Sequence, residues 1–380
     1  MECNMEVYLD NAATTMVCPE AAETALKIMT ENYGNPSSTH TKGREAKASL
    51  DLARKQVASA LGCTPAEVYF TSCGSEGDNW AIIRGAQYMK RAGLHVISSE
   101  VEHDAVRKSL DELEKLGFEV TRLSPESDGS ISAEKVKEAL RPDTVLVSLM
   151  MVNNETGAVT DIAGIAKMLK AEKSKALLHT DAVQGFMKLP FKAKTLGADL
   201  ITISGHKIHA PKGIGALYIK NGLKIKPYIM GGAQESSLRA GTEAMPQIAA
   251  FGTACELASK GMAEYTAKME KLRQTAIDGI TGTIGEAIVI GGGAPHILSI
   301  SLPGWRSEVL MNFLEAKGIF VSRSSACKKG GRSHVLEAIG LPAPVIDGAI
   351  RISFSRYTTD DDISSLCLAL KQAHDSLAHR

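Results

Sequence analysis

From about residue 45 to residue 260 the chain alternates two textures. KASLDLARKQVASALG carries apolar side chains at helical spacing and stops at Gly62, which predicts a helix closed by a glycine cap. Short apolar runs recur beyond it: VYFT (68–71), HVISS (95–99), FEVTRLS, TVLVSLMMV (144–152), ALLHT (176–180), DLITIS (199–204) and GALYI (215–219). Helix-length spacers, such as the one around DAVRKSLDELEKLG, separate most of them. Runs of Val, Ile and Leu without polar alternation belong to strands covered on both faces, so the pattern predicts an α/β domain with a mostly parallel sheet between helical layers. Such sheets carry their chemistry at the carboxyl ends of the strands.

After residue 260 the pattern changes. A charged helical stretch, MAEYTAKMEKLRQTAIDGI, leads to HILSISL, GIFVS and AIRISFS, and a last helix is expected in TDDDISSLCLALKQAHDSL. The reading is a large domain over 15–260 and a smaller α+β domain from 1–14 and 261–380, bridged by the charged helix.

Composition narrows the function classes. The 380 residues are 44% hydrophobic and 23% charged, with 43 basic and 43 acidic side chains, so no basic excess points to nucleic acid or an anionic membrane. The opening MECNMEVYLDNAATT lacks a basic segment followed by an apolar core, so no signal peptide is expected. No apolar run is long enough to span a bilayer. Seven scattered cysteines without a CxxC pair fit a reducing cytoplasm better than a disulfide framework or a zinc site.

Candidate chemistry collects where strands end. In DLITISGHKIHAPKGIGALYI a buried strand runs into Ser204, Gly205, His206 and Lys207. A lysine there can lose charge through desolvation and bind a carbonyl compound as a Schiff base, although most lysines are solvated surface charges. Ser204 and His206 could donate to a phosphate. His206 and His209 form an HxxH, but no carboxylate or cysteine stands near to complete a metal site, and none is expected. In HTDAVQG, Asp181 is either a helix cap or a buried carboxylate that meets a pyridinium nitrogen. FTSCGSEGDN offers a turn with Gly74 and Ser75 before a helix, a weak phosphate cradle when taken alone. His103 in SEVEHDAV, and Asn154 and Glu155 in VNNETG, follow two further strands. One such histidine is usually structural; five polar clusters at five strand ends are harder to explain that way. Cys327 sits apart in SRSSACKKGGRSHV, among serines, glycines and basic side chains where a structural thiol would not be expected.

LDNAATT (9–15), YGNPSSTHTKGREA (33–46), SEGDN, EHDAV, VNNETG, HTDAVQ, SGHK, APKGIGALY, LRAGTE (238–243), SSAC and IRISFSR (350–356) occur in this order. The chain thereby resembles the cysteine desulfurases, class V, fold-type I pyridoxal-phosphate enzymes, and is group I-like. The resemblance spans essentially the whole chain. It implies that Lys207 holds pyridoxal 5'-phosphate, Asp181 pairs with its ring nitrogen, Gln184 contacts its phenolic oxygen and His103 stacks on the ring. It further implies a phosphate site from Gly74, Ser75, Ser204 and His206, joined by Thr242 of the other subunit of a homodimer. By the same resemblance Asn154 would lie beside cofactor and substrate, and Arg351 would clamp the substrate carboxylate with help from Asn35. Cys327 aligns with the nucleophile that takes sulfur from L-cysteine as a persulfide, leaving L-alanine. A sulfur-acceptor protein, in iron–sulfur cluster or thio-cofactor assembly, would receive it, and the expected location is cytoplasmic.

The chain departs from that pattern in four places. Ser324, preceded by Arg323, stands where a glycine is usual; KKGGR is shorter and more basic than the serine-rich stretch of relatives; Ser236 and Ser237 replace Arg-Gly; Cys73 replaces a glycine. Lys328, Lys329 and Arg332 would favour a Cys327 thiolate. A selenocysteine lyase, a cystine C–S lyase, a class V aminotransferase and a non-catalytic scaffold on the same fold remain alternatives.

Overall fold

The computed structural model describes residues 6–323 and 331–377. Cys327, with Ser324, Lys328 and Lys329, lies outside the described residues.

Strand β1 (Val7–Tyr8) begins the chain. Strands β2 (Val68–Thr71), β3 (His95–Ser99), β4 (Glu119–Leu123), β5 (Thr144–Ser148), β6 (Leu177–Asp181), β7 (Leu200–Ser204) and β8 (Gly215–Ile219) form a seven-stranded sheet in the order β2-β8-β7-β6-β5-β3-β4. Only β8 runs against the others. Strands β3, β5, β6, β7 and β8 are buried along their whole length, as runs without polar alternation require. The fold is the mostly parallel α/β architecture the pattern predicted.

A second unit holds β9 (Ile288–Ile290), β10 (Ile297–Ser301), β11 (Ile319–Phe320), β12 (Ser322–Arg323) and β13 (Ala349–Ser353). Four of these form a sheet in the order β12-β13-β10-β9, while β11 pairs with β1 in parallel. GIFVS, expected as one strand, is thus split between two small sheets. The helix Met245–Thr281 joins the units as one 37-residue rod. Its first half packs on the helices Pro19–Thr30 and Thr41–Leu61; from Met269 to Ile280 it covers the small sheet with Leu298, Ile300, Ile350 and Ile352. Residue 260 lies inside this rod, so the change is one of packing partner along a continuous helix.

Two local departures shape the site. TVLVSLMMV is regular only to Ser148: bonds from the Leu149 and Met151 amides to β6 carry on, but toward β3 side chains replace backbone partners, with Ser98 Oγ donating to the Ser148 carbonyl and the Met150 amide donating to Glu102 Oε1. The helix after Cys73 is α-helical over Gly74–Asn79, widens to a π-turn over Trp80–Arg84 and resumes over Gly85–Met89. Elsewhere local rules suffice: Gly62 closes the helix Thr41–Leu61 at φ +69°, and Thr359 and Asp362 form a capping box before Asp360–Ser376. No helix among the described residues is long and apolar enough to cross a membrane.

Candidate active site

The carboxyl ends of β2, β3, β5, β6 and β7 lie along one edge of the large sheet, and each delivers a polar side chain there. Lys207 follows β7. Its Nζ donates to the carbonyls of Ala12 and Ala13 at 2.5 and 2.7 Å. Burial pushes the amine down to about 8, and the nearby Arg351 charge adds to the effect, while Asp10 and Asp181 act in the opposite sense. Those carbonyls belong to LDNAATT, which is pinned by the bond from Asn11 Nδ2 to the Ser353 carbonyl, by Ser353 Oγ on the Ala12 amide and by Thr15 on the His206 carbonyl.

Asp181 ends β6 and is 6% exposed. Oδ1 accepts from the Val183 amide at 2.9 Å. Burial raises its carboxyl pKa, against His103, the Val183 amide and Lys207. Behind it lies a second carboxyl, Asp78, 1% exposed, which burial and the Asp181 charge push well above the carboxylate range. His179 Nε2 approaches Asp78 to 3.7 Å, and its ring is held by Thr202 and Ser148. Burial alone pushes that imidazole down to about 3, away from its charged form.

Gln184 Nε2 donates to the same Ala12 carbonyl that Lys207 uses, and its Oε1 meets His296 Nε2 at 3.3 Å. His103 caps the helix Asp104–Lys115 by accepting from the Ala105 amide, leaving its ring face free of that role. Gly74 opens the helix after β2, and a Cβ there would come within 2.8 Å of Val183. Ser204 is 1% exposed, and its Oγ has no partner among the described residues. His206 Nδ1 meets Thr14 Oγ1 at 3.2 Å; burial, then Lys207 and Lys212, push its ring down to about 4.

Arg351 reaches the same place from the small sheet. Nη2 donates to Asp10 Oδ1 at 2.9 Å and Nη1 to the Asn154 carbonyl at 2.8 Å, while the buried Nε has no partner among the described residues. Ser322 on β12 stands directly opposite Arg351 on β13.

Lys207, Asp181, Gln184, His103, Asn154 and Arg351 are therefore linked through shared partners or direct electrostatic contact. Gly74, Ser204 and His206 border the same edge, with the exposed Ser75 beside Gly74. Asn35 and Thr242 are exposed, and the Asn35 side chain accepts from the Ser37 amide. Asp10, the Ala12 and Ala13 carbonyls, Asp78, Glu102 and His296 carry no signal in residue pattern or spacing. LDNAATT has no periodicity, and its main contribution is backbone oxygen.

A phosphorylated pyridine aldehyde fits this set. The orphaned Ser204 hydroxyl, the side-chain-free approach at Gly74 and the helix amides above it suit a phosphate. A buried carboxyl with one bonded oxygen suits a ring nitrogen, and a lysine drawn toward neutrality suits an aldehyde. Among the described cysteines, Cys18 and Cys255 are buried, and burial pushes Cys63 up to about 12 and raises Cys255 and Cys367.

A family model described as aminotransferase class-V matches residues 7–366. A Methanosarcina thermophila protein described as cysteine desulfurase IscS is 42% identical over 366 residues, which is 95% of this chain and 90% of the relative. Cysteine desulfurase 2 of Trichormus variabilis is 43% identical over 366 residues, 95% of this chain and 91% of the relative. A solved structure described as a NifS-like protein superposes with a TM-score of 0.93 at 35% identity, covering 98% of this chain and 100% of that one.

Proposed function

The chain belongs to the class V aminotransferase family and, within it, to the pyridoxal-phosphate-dependent cysteine desulfurases, and from that premise we propose which residues carry its reaction. It acts on L-cysteine. The cofactor, when bound, supplies an electron-poor ring that stabilises negative charge at the substrate α-carbon.

Lys207 would hold the cofactor through its amine, and the same amine, drawn by burial toward its neutral form, would take the substrate α-proton. Asp181 would pair with the ring nitrogen, Gln184 with the phenolic oxygen, and His103 would stack on the ring. Gly74, Ser75, Ser204 and His206 would hold the phosphate, completed by Thr242 of a second subunit in a homodimer. Arg351, whose Nη1 and Nη2 rest on the Asn154 carbonyl and Asp10, grips the substrate carboxylate, for which a guanidinium offers two parallel donors. Asn154 and Asn35 flank the substrate. His103 carries the proton of the substrate thiol.

Cys327 then attacks the substrate sulfur as a thiolate. The Cβ–S bond breaks, an S–S bond forms, and its electron pair leaves with the carbon skeleton, which is protonated and released as alanine. The persulfide sulfur passes to an acceptor protein or a reductant, in iron–sulfur cluster or thio-cofactor assembly in the cytoplasm.

The observation that carries this reading is the meeting of Lys207, Asp181 and Arg351, three ionisable groups from separate elements in one buried place. The test is alanine and sulfide release with dithiothreitol, using L-cysteine and L-selenocysteine in parallel. Cys327→Ala should keep the cofactor's absorbance and lose sulfide release. Full activity in that variant would refute the nucleophile; pyruvate and ammonia as products would point instead to a β-eliminating lyase.

A further inference from the structure

Glu155 takes no part in the steps above, yet it is a carboxyl side chain only 6% exposed beside the substrate clamp. Its turn is rigid. Asn153 Oδ1 accepts from the amides of Glu155 and Thr156 at 2.9 and 3.0 Å, the Gly157 amide donates to the Asn153 carbonyl, and Gly157 has φ +71°. On one side the turn offers the Asn154 carbonyl to Arg351. On the other, Glu155 Oε2 accepts from Ser333 Oγ at 2.5 Å. Ser333 caps the helix His334–Ala338 through the Leu336 amide. Its neighbour Arg332 makes a two-point contact with Asp347, at 2.7 and 2.9 Å. Across the segment, Arg323 pairs with Glu308 and also meets the Gly331 carbonyl at 3.4 Å.

We propose that Glu155 is a positioning residue for sulfur transfer: by fixing Ser333 to the turn that also steadies Arg351, it sets where the chain bearing Cys327 returns relative to the bound substrate. This rests on the reading of Cys327 as nucleophile. The physical reason is distance control. Attack on sulfur needs the thiolate within about 3–3.5 Å and aligned, and small misplacements far from the chemistry cost large factors in rate. Ser333 is six residues from Cys327, and one rigid turn holds both this anchor and the guanidinium that fixes the substrate's other end. A buried carboxyl is costly unless bonded, and the Ser333 hydroxyl is its hydrogen-bond partner. Burial moves the group up to about 7, against the Ser333 hydroxyl bond and the Arg351 charge, which favour the carboxylate.

The experiment compares holoenzyme variants in two assays. Alanine formation from L-cysteine in a single turnover requires the Cys327 step. Exchange of the α-hydrogen of L-alanine with deuterated water requires Lys207 and Arg351 but not Cys327. Glu155→Ala and Ser333→Ala should each slow alanine formation by about ten-fold or more, with α-hydrogen exchange and cofactor absorbance within about two-fold of the parent. Glu155→Gln, whose amide oxygen can still accept, and Ser333→Thr, whose hydroxyl can still donate, should restore most of the rate. The double alanine variant should be no slower than the slower single one. Equal losses in both assays, or no loss in either, would overturn the proposal. Alanine formation at the parent rate by Cys327→Ala would instead overturn the nucleophile reading on which it rests.

Discussion

Lys207 gives the sharpest quantitative expectation. Its amine is pushed from 10.5 to about 8, chiefly by burial and then by Arg351. Only the neutral amine can attack an aldehyde. At pH 7.5 a lysine at 10.5 is neutral in about one molecule in a thousand, whereas one at about 8 is neutral in roughly a quarter, a gain of about two hundred-fold. Two carbonyls bonded to Nζ favour the charged form, so the downward shift means that desolvation wins over them. The assay is cofactor uptake by protein stripped of pyridoxal phosphate, followed by the absorbance of the bound form between pH 6 and 10.5. The rate should rise with pH and level off above a midpoint near 8. Arg351→Gln removes a positive charge that disfavours the ammonium, so the midpoint should move up. A parent midpoint near 10.5 would refute the desolvation argument, and a downward move in Arg351→Gln would refute its sign.

Glu102 is pushed up to about 8 by burial, against bonds from Ser99 and the Met150 amide. Its native pKa lies above the unfolded value, so the native state holds the extra proton. The contribution to stability is present in full below the unfolded value of 4.5 and is lost as pH rises toward about 8. Glu102→Gln should therefore flatten the fall of Tm between pH 5 and 8 measured by calorimetry, and identical slopes would contradict the burial argument. Arg54 and Glu235 form a two-point pair at 2.6 and 2.6 Å, with Glu235 also accepting from the Phe70 amide. Their side chains are 17% and 3% exposed, so Arg54→Ala strands a buried carboxylate and should cost about 3–5 kcal/mol in urea unfolding; a loss below about 1 kcal/mol would contradict this.

Much of the large sheet was legible because each buried strand is a short Val, Ile or Leu run bounded by polar residues, and local patterning is enough to place such a run. Lys207, Asp181, His103 and Asn154 stood out for the same reason, as polar side chains just past those runs. TVLVSLMMV read too long because its last residues are as apolar as a strand, while the side chains of Ser98 and Glu102, far off in sequence, take the bonds that a neighbouring strand would make. GIFVS read as one strand because nothing in five residues shows that the partner changes from β1 to β13 between Phe320 and Ser322.

By itself, then, the sequence determined the alternation of elements, the class of the sheet and the polar residues at its working edge, all of which follow from contacts close along the chain. Tertiary structure alone decided what surrounds them. Arg351 meets Asp10 across 341 positions, and Glu155 meets Ser333 across 178. Nothing in residue order marks Asp78 and Glu102 as buried; packing alone removes their water. Charge state and reach depend on desolvation and on which distant segments converge, and both come from the packed fold rather than from residue order.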